Sequence, residues 1–367
     1  MKIALVTDTY MPQINGVSYT VQLWKNALKK AGHKPYVFYP EDPSYEPQDD
    51  EVPVMSIEFP FYYKYRFAIA NPFSIASKMK DFDIIHVHAM LPLAVPALWA
   101  AFVNKKPAIF TFHTPVDMYV EYLTSNPGLQ SLLFKLYDAY KCVLFNSVKL
   151  VTAPSEIMAK KLDCEKAIKL SNGIDTDFFN RADDGEIKKF KKKYGIPAGS
   201  VIGYTGRHSY EKHLEDLIAM ADDFQGTIVL AGGGPANEYY RDLAKDKKNV
   251  LFLGFLPREE LCALYSALDV FVIPSTAETQ GLVVLEANAC GVPAVGADAL
   301  ALKETVHEGK NGYRYQPGDS KELMEMVKKA YKNKNKLSKN ALEFAQSQSI
   351  TNTVRKLEGI YESMLVP

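Results

Sequence analysis

Two carboxylates, Glu278 and Glu286, stand eight residues apart in "STAETQGLVVLEANACGVPAVG" (275–296), divided by small and branched apolar residues. A carboxylate beside a buried apolar helix is costly unless it has a partner or a ligand. Cations of the right kind occur upstream, where "YTGRHSYEK" supplies Arg207 and Lys212, two groups suited to a diphosphate. The glycines of "AGGGP" (231–235), Gly233 among them, would let a backbone approach a ligand closely, although such turns often serve geometry alone. In the first half, Gly16 in "INGVSYTV" offers the same freedom, and His113 closes the apolar run "IFTFHT". His86 and His88 in "IIHVHA" are weaker candidates, because a histidine in an apolar strand is more often a satisfied core residue.

The elements that must position these residues alternate along the chain. Short β-rich runs ("KIALVT", "PYVFYP", "DIIHVHA", "AIFTFHT", "KLVTAP", "AIKLSNG") are separated by helical stretches near 17–30, 91–104 and 129–148. Near-continuous apolar strands alternating with helices indicate parallel sheets covered on both faces. A polar passage follows, and the alternation restarts with "VIGYTGR", "TIVLAGGG", "VLFLGF", "DVFVIPS" and "PAVGAD". The expected organisation is two doubly wound α/β domains, 1–179 and 180–349, with a helical tail at 350–367. Ligands would bind in a cleft between them, at the carboxyl ends of the strands. The acidic "EDPSYEPQDDE" (41–51) reads as a surface loop.

Composition narrows the class. A chain of 367 residues exceeds one ordinary core, which favours two domains. The net charge of zero argues against nucleic-acid binding through a broad basic face. The scattered Cys142, Cys164, Cys262 and Cys290 have no metal or redox spacing and read as reduced thiols of a cytoplasmic protein. The opening "MKIALVTDTY" reads as a first strand, not a signal peptide, and nothing is long and apolar enough to span a membrane.

Taken together and in order, "NGIDTDFF", "GRHSYEK", "AGGGP" and "ETQGLVVLEANACGVPAV" resemble the family-4 glycosyltransferases of the GT-B fold. The last stretch resembles that family's E-x7-E signature. The resemblance implies a nucleotide diphosphate sugar (a UDP-sugar, with GDP-mannose as the other choice) held mainly by the C-terminal domain. It implies an acceptor held by the N-terminal domain, retaining transfer, and a final helix crossing back to the first domain. The donor is then a substrate, and no cofactor is expected. Thr279, Gln280, Gly281 and Leu282 would turn a strand into a helix whose free N–H groups suit a diphosphate or sugar oxygen. Glu286 would take the ribose hydroxyls and Glu278 would lie near the transferred sugar, the hydroxyls making both carboxylates tolerable. His113 would hydrogen-bond the donor sugar and stabilise developing positive charge through its carbonyl. Many family members carry paired glycines where this chain has Asn15 and Gly16.

"TDTYMPQINGVS" and "HTPVDMYVEYL", with His113, Thr114, Asp117, Tyr119 and Tyr122, resemble the branch that glycosylates diacylglycerol-type lipids. "FPFYYKYRF" (59–67) has the aromatics (Tyr62, Tyr63, Tyr65) and cations (Lys64, Arg66) of a membrane interface, or of a half-buried aromatic strand. A lipid acceptor and peripheral attachment at the inner membrane face are therefore expected, with a glycan or small-molecule acceptor as the alternative. A non-transferring sugar-nucleotide epimerase shares the fold and is the closer rival. A paired-domain sugar-binding protein would not need two carboxylates beside a cationic pair. "DFD" (Asp81, Asp83) and "DTD" (Asp175, Asp177) match a metal-holding D-x-D, but Arg207, Lys212 and a helix N-terminus already supply positive charge. No catalytic metal is expected.

Overall fold

The structure, a computed structural model, describes residues 1–13, 15–58, 65–113 and 126–366. The chain divides into two compact units, Met1–Gly173 with Ile350–Pro367, and Ile174–Ser349. The first boundary thus falls at Gly173 and not at Phe179, because Ile174 already bridges Ser349 and its N–H donates to the Gln348 carbonyl.

The strands of the first unit are β1 (Lys2–Val6), β2 (Lys34–Pro40), β3 (Glu51–Val54), β4 (Ser56–Glu58), β5 (Arg66–Ala68), β6 (Ile84–Val87), β7 (Ala108–Thr111), β8 (Leu150–Ala153) and β9 (Ala167–Lys169). Seven of them form one sheet in the order β3-β2-β1-β6-β7-β8-β9, all pairs parallel, while β4 and β5 pair antiparallel on their own. Alternation along β1 sends Ile3 and Leu5 into one core and Ala4 and Val6 into another, so both faces of the sheet are covered. The helix Ile350–Leu365 completes one of these cores with Val354, Leu357, Tyr361 and Met364.

In the second unit, β10 (Val201–Arg207), β11 (Thr227–Gly233), β12 (Val250–Gly254), β13 (Val270–Ile273), β14 (Ala294–Ala297) and β15 (Gly312–Tyr315) form a parallel sheet in the order β12-β11-β10-β13-β14-β15. Each large sheet reverses its strand order once, at β1/β6 and at β10/β13. Such a switch point is where an open α/β sheet leaves a crevice at its carboxyl edge.

Local chemistry fixes the helix starts. Asn71, Asn126, Ser155, Asp183 and Asp319 each accept a backbone N–H of the helix that follows, two of these helices opening with Pro72 and Pro127. The stretch expected as a surface loop ends inside the fold. Asp50 and Glu51 are largely buried, and Lys25 Nζ lies 2.9 Å from the first and 2.7 Å from the second. That lysine reaches them from the helix Gly16–Lys30, a contact between residues distant in sequence.

Candidate active site

At the switch point of the second sheet, the loop after β10 meets the loop after β13. Lys212 ends a single 3₁₀ turn, Tyr210–Lys212, and its Nζ lies 2.7 Å from Glu278 Oε1. Ser275, fully buried at the end of β13, adds a hydroxyl 3.5 Å from the same Nζ. Burial alone would push the Glu278 carboxyl up, but the Lys212 charge and hydrogen bond, with a hydrogen bond from Ser275, hold it below the ordinary range. Arg207 is the last residue of β10 and is exposed.

After Glu278 the chain is pinned: its carbonyl accepts from Ala301 N–H at 3.3 Å, and the Gln280 carbonyl accepts from the Thr305 hydroxyl. Thr279 is half-buried and Gln280 buried. Gly281 then adopts φ 78°, a left-handed conformation that costs glycine little. It opens the helix Leu282–Ala289, which carries no side-chain cap. One turn in, Glu286 accepts a hydrogen bond from the Tyr265 hydroxyl. Burial raises its carboxyl to about 7, a push that Tyr265 and the Arg258 charge only partly oppose.

The glycines at the end of β11 and just past it answer to the chain's own packing. A Cβ at Gly232 would sit 1.9 Å from the Gly206 carbonyl oxygen, and one at Gly234 would sit 2.4 Å from that of His208. Gly233 makes room for the Phe255 ring, 2.8 Å from where its Cβ would be. Gly16 is different: a Cβ there would meet nothing within 4 Å, so the chain's own packing does not require glycine. Asn15 accepts from Val17 and Ser18 N–H while Ser18 reaches back, a reciprocal cap that accounts for asparagine beside a single glycine.

The first sheet's switch point adds Asp8, which the sequence left unassigned, to the histidines. Asp8, just past β1, accepts backbone N–H groups of Met90, Leu91 and Leu93 at 2.9, 2.7 and 3.2 Å. Burial nevertheless raises its carboxyl to about 6. His113 is buried two residues beyond β7, and its Nε2 lies 2.8 Å from Nδ1 of His88. Burial lowers the His113 imidazole to about 4. His86 is a satisfied core residue, bonded through one nitrogen to Tyr361 and through the other to Thr111. His88 is not: its Nε2 is buried with no partner among the described residues. The signal for this pairing is the i, i+2 spacing of His86 and His88, which puts two polar rings on one face of an apolar strand.

Other candidates do not join either group. Arg66 donates to the Glu41 carbonyl and to Ser56, so its guanidinium braces the β4–β5 hairpin and is not held out for a headgroup. Asp83 accepts the Lys2 N–H, and Asp175 accepts the Phe178 N–H and pairs with Arg258 at 3.5 Å. Tyr62, Tyr63, Lys64, Thr114, Asp117, Tyr119 and Tyr122 lie outside the described residues.

Two open parallel sheets, each with chemistry gathered at its switch point, are the architecture of GT-B glycosyltransferases. The Anabaena protein HepE in complex with UDP-glucose superposes with a TM-score of 0.78 at 20% identity, over 99% of this chain and 100% of that one. Residues 14–178 match the model of Glycosyltransferase Family 4 and residues 166–348 that of Glycosyl transferases group 1. The alpha-monoglucosyldiacylglycerol synthase of Streptococcus pneumoniae is 32% identical over 86% of this chain and 75% of its own. A GDP-mannose-dependent alpha-mannosyltransferase of Corynebacterium glutamicum is 27% identical over 88% of this chain and 79% of its own. The chain belongs to glycosyltransferase family 4.

Proposed function

We propose that the protein is a retaining, metal-independent hexosyltransferase moving a sugar from a UDP-sugar to a hydroxyl of a membrane glycerolipid. The observation that carries this reading is the Lys212–Glu278 pair at the β10/β13 switch point, eight residues before Glu286, which sits one turn inside the helix that follows. In this reading the second unit holds the donor. Arg207 and Lys212 take the diphosphate, and an ammonium has donors enough to keep Glu278 as well. The uncapped helix start at Gln280–Leu282 offers N–H groups to the same anion, Gly233 lets the backbone near it, and Gly16 is assigned to donor binding on the family resemblance. Glu286 accepts the ribose hydroxyls and Glu278 a hydroxyl of the transferred sugar. The family resemblance assigns His113 to the transferred sugar. The leaving diphosphate is stabilised by fixed cations and backbone dipoles.

The pneumococcal relative's name, a glycolipid synthase, supports the acceptor class. So do exposed apolar side chains of the first unit, Phe73, Phe102, Leu132, Leu136 and Val143, on the helices Pro72–Met79, Ala94–Val103 and Pro127–Asn146. No helix among the described residues is long and apolar enough to cross a membrane. The protein would work as a peripheral enzyme on the cytoplasmic leaflet. The test supplies UDP-glucose or GDP-mannose with anionic vesicles containing diacylglycerol. Glycolipid formation with stoichiometric release of nucleoside diphosphate and an α anomeric product is expected. Transfer only to soluble acceptors would overturn the lipid assignment. Epimer formation without nucleotide release would replace transferase by epimerase.

A further inference from the structure

Three imidazoles of the first unit form a row. The rings of His86 and His88 stack with centroids 4.2 Å apart and planes 24° apart, while those of His88 and His113 lie edge to edge and nearly coplanar, with centroids 5.1 Å and planes 20° apart, as an in-plane N–H···N bond requires. One end is anchored: His86 Nδ1 lies 2.7 Å from the Tyr361 hydroxyl, and the Thr111 hydroxyl on its Nε2 meets that of Thr152 at 2.7 Å. Trp24 packs beside both His86 and His88, and its only donor is spent on the Asn172 carbonyl. Burial holds all three imidazoles below their usual range, helped in His86 and His88 by the neighbouring histidines, so each ring is neutral and carries one N–H near pH 7.

With one proton per ring, the 2.8 Å contact between His88 Nδ1 and His113 Nε2 has two arrangements. If His113 Nε2 donated, His88 would carry its own proton on Nε2, a buried N–H without an acceptor among the described residues. If His88 Nδ1 donates, Nε2 is left as a bare lone pair, and buried orphan acceptors are tolerated more readily than buried orphan N–H groups. The second arrangement wins. It leaves His113 Nε2 accepting, so the proton of His113 sits on Nδ1.

We propose that His88 is a positioning residue: its Nδ1–H holds His113 in the Nδ1-protonated tautomer, so that His113 meets the sugar as a hydrogen-bond donor and not as a base. This rests on the reading of His113 as the residue that touches the transferred sugar. The tautomer matters because a neutral imidazole offers one donor and one acceptor, and fixing one nitrogen decides what the other can do. His86, bonded to Tyr361 of the helix Ile350–Leu365, stacks on His88 and backs it from the far end.

Selective ¹⁵N-histidine labelling of the full chain reads the tautomer directly. The wild-type protein should show His113 protonated at Nδ1; protonation at Nε2 overturns the proposal without any variant. His88→Phe keeps a stacked ring and removes the donor. The His113 proton should then redistribute toward Nε2, and kcat should fall about tenfold or more, with UDP affinity unchanged. His88→Asn places an amide N–H close to the lost Nδ1–H and should recover most of the rate. A His113 spectrum unaltered by His88→Phe overturns the proposal. So does an altered spectrum with unaltered kcat, when His113→Ala is itself inactive. If His113→Ala is fully active, the reading of His113 fails, and the role of His88 in the reaction falls with it.

Discussion

In the first unit Glu51 is buried against Lys25 and accepts from the hydroxyls of Tyr10 and Tyr45 and the Gln48 N–H, while in the second Glu286 has the Tyr265 hydroxyl. The two carboxylates shift in opposite directions. Burial pushes Glu51 up, but its hydrogen bonds to Gln48, Lys25 and Tyr10 hold it below the ordinary range. Burial also pushes Glu286 up, and there it prevails. Two sheets of the same kind therefore treat buried charge differently. A carboxylate whose lone pairs are filled by its own chain is a structural group. One left short of partners is poised to accept more hydrogen bonds from a ligand.

The widest separation between the two should come from Lys25→Met. Removing one partner of a buried ion pair typically costs about 3–5 kcal/mol, because the other charge is stranded. Urea unfolding should register that loss while calorimetric UDP affinity, a property assigned to the second unit, stays put. The acid limb should change too. Asp50 and Glu51 are both held low, so the stability they add is present above the ordinary carboxylate range and lost as pH falls through their depressed values. A Lys25→Met protein as stable as the wild type would dissolve the contrast.

Next in size is Lys212→Ala. A charge-assisted contact to diphosphate is worth about 1.5–3 kcal/mol, so UDP should bind about ten- to a hundredfold more weakly, with Arg207→Ala in the same direction. Unchanged affinity in both variants would take these cations out of the donor site.

A smaller effect is expected from the proton on Glu286. If ribose hydroxyls need the carboxylate, affinity for a UDP-sugar should rise about tenfold between pH 6 and 8, and Glu286→Gln should bind weakly and flatten the profile. A UDP-sugar is the right probe, since its diphosphate has no proton to lose in that interval. In the ligand-free protein the sign is reversed. A raised carboxyl favours the fold when protonated and loses that contribution as pH rises through about 7, so Glu286→Gln should be the more stable protein above it. A wild-type profile as flat as that of the variant would sink the ribose assignment. The smallest effect should be none: transfer should persist in excess chelator. Loss of activity restored by magnesium or manganese would return Asp81, Asp83, Asp175 and Asp177 to consideration.

What was legible in the sequence was local. Apolar runs such as "FVIP" and "IVLA", short and alternating with helical stretches, read as strands buried on both faces, as β13 and β11 are. β3 and β15 were missed because they are short edge strands, one carrying Pro53 and the other opening at Gly312. The site divided along the same line. Lys212, Glu278 and Glu286 were picked out as types, with sugar hydroxyls expected as the partners of the two glutamates. The Lys212–Glu278 pair spans 66 positions and Tyr265–Glu286 spans 21, contacts that no local pattern encodes. Asp50 and Glu51 were misplaced as loop surface for the same reason, their cation lying on another helix.

The return of the helix Ile350–Leu365 to the first unit has a temporal side. Synthesis runs from the N-terminal side, so the second unit is complete once Ser349 has emerged, while the first still lacks Leu357, Tyr361 and Met364 of its core. It also lacks the Glu358 carboxylate that meets His33 at 2.8 Å and the Tyr361 hydroxyl on His86. The half of the protein translated first is thus the half finished last, and a nascent chain released after Ser349 would carry a complete second sheet and an N-terminal sheet with one core face covered only in part, by the helix Gly16–Lys30.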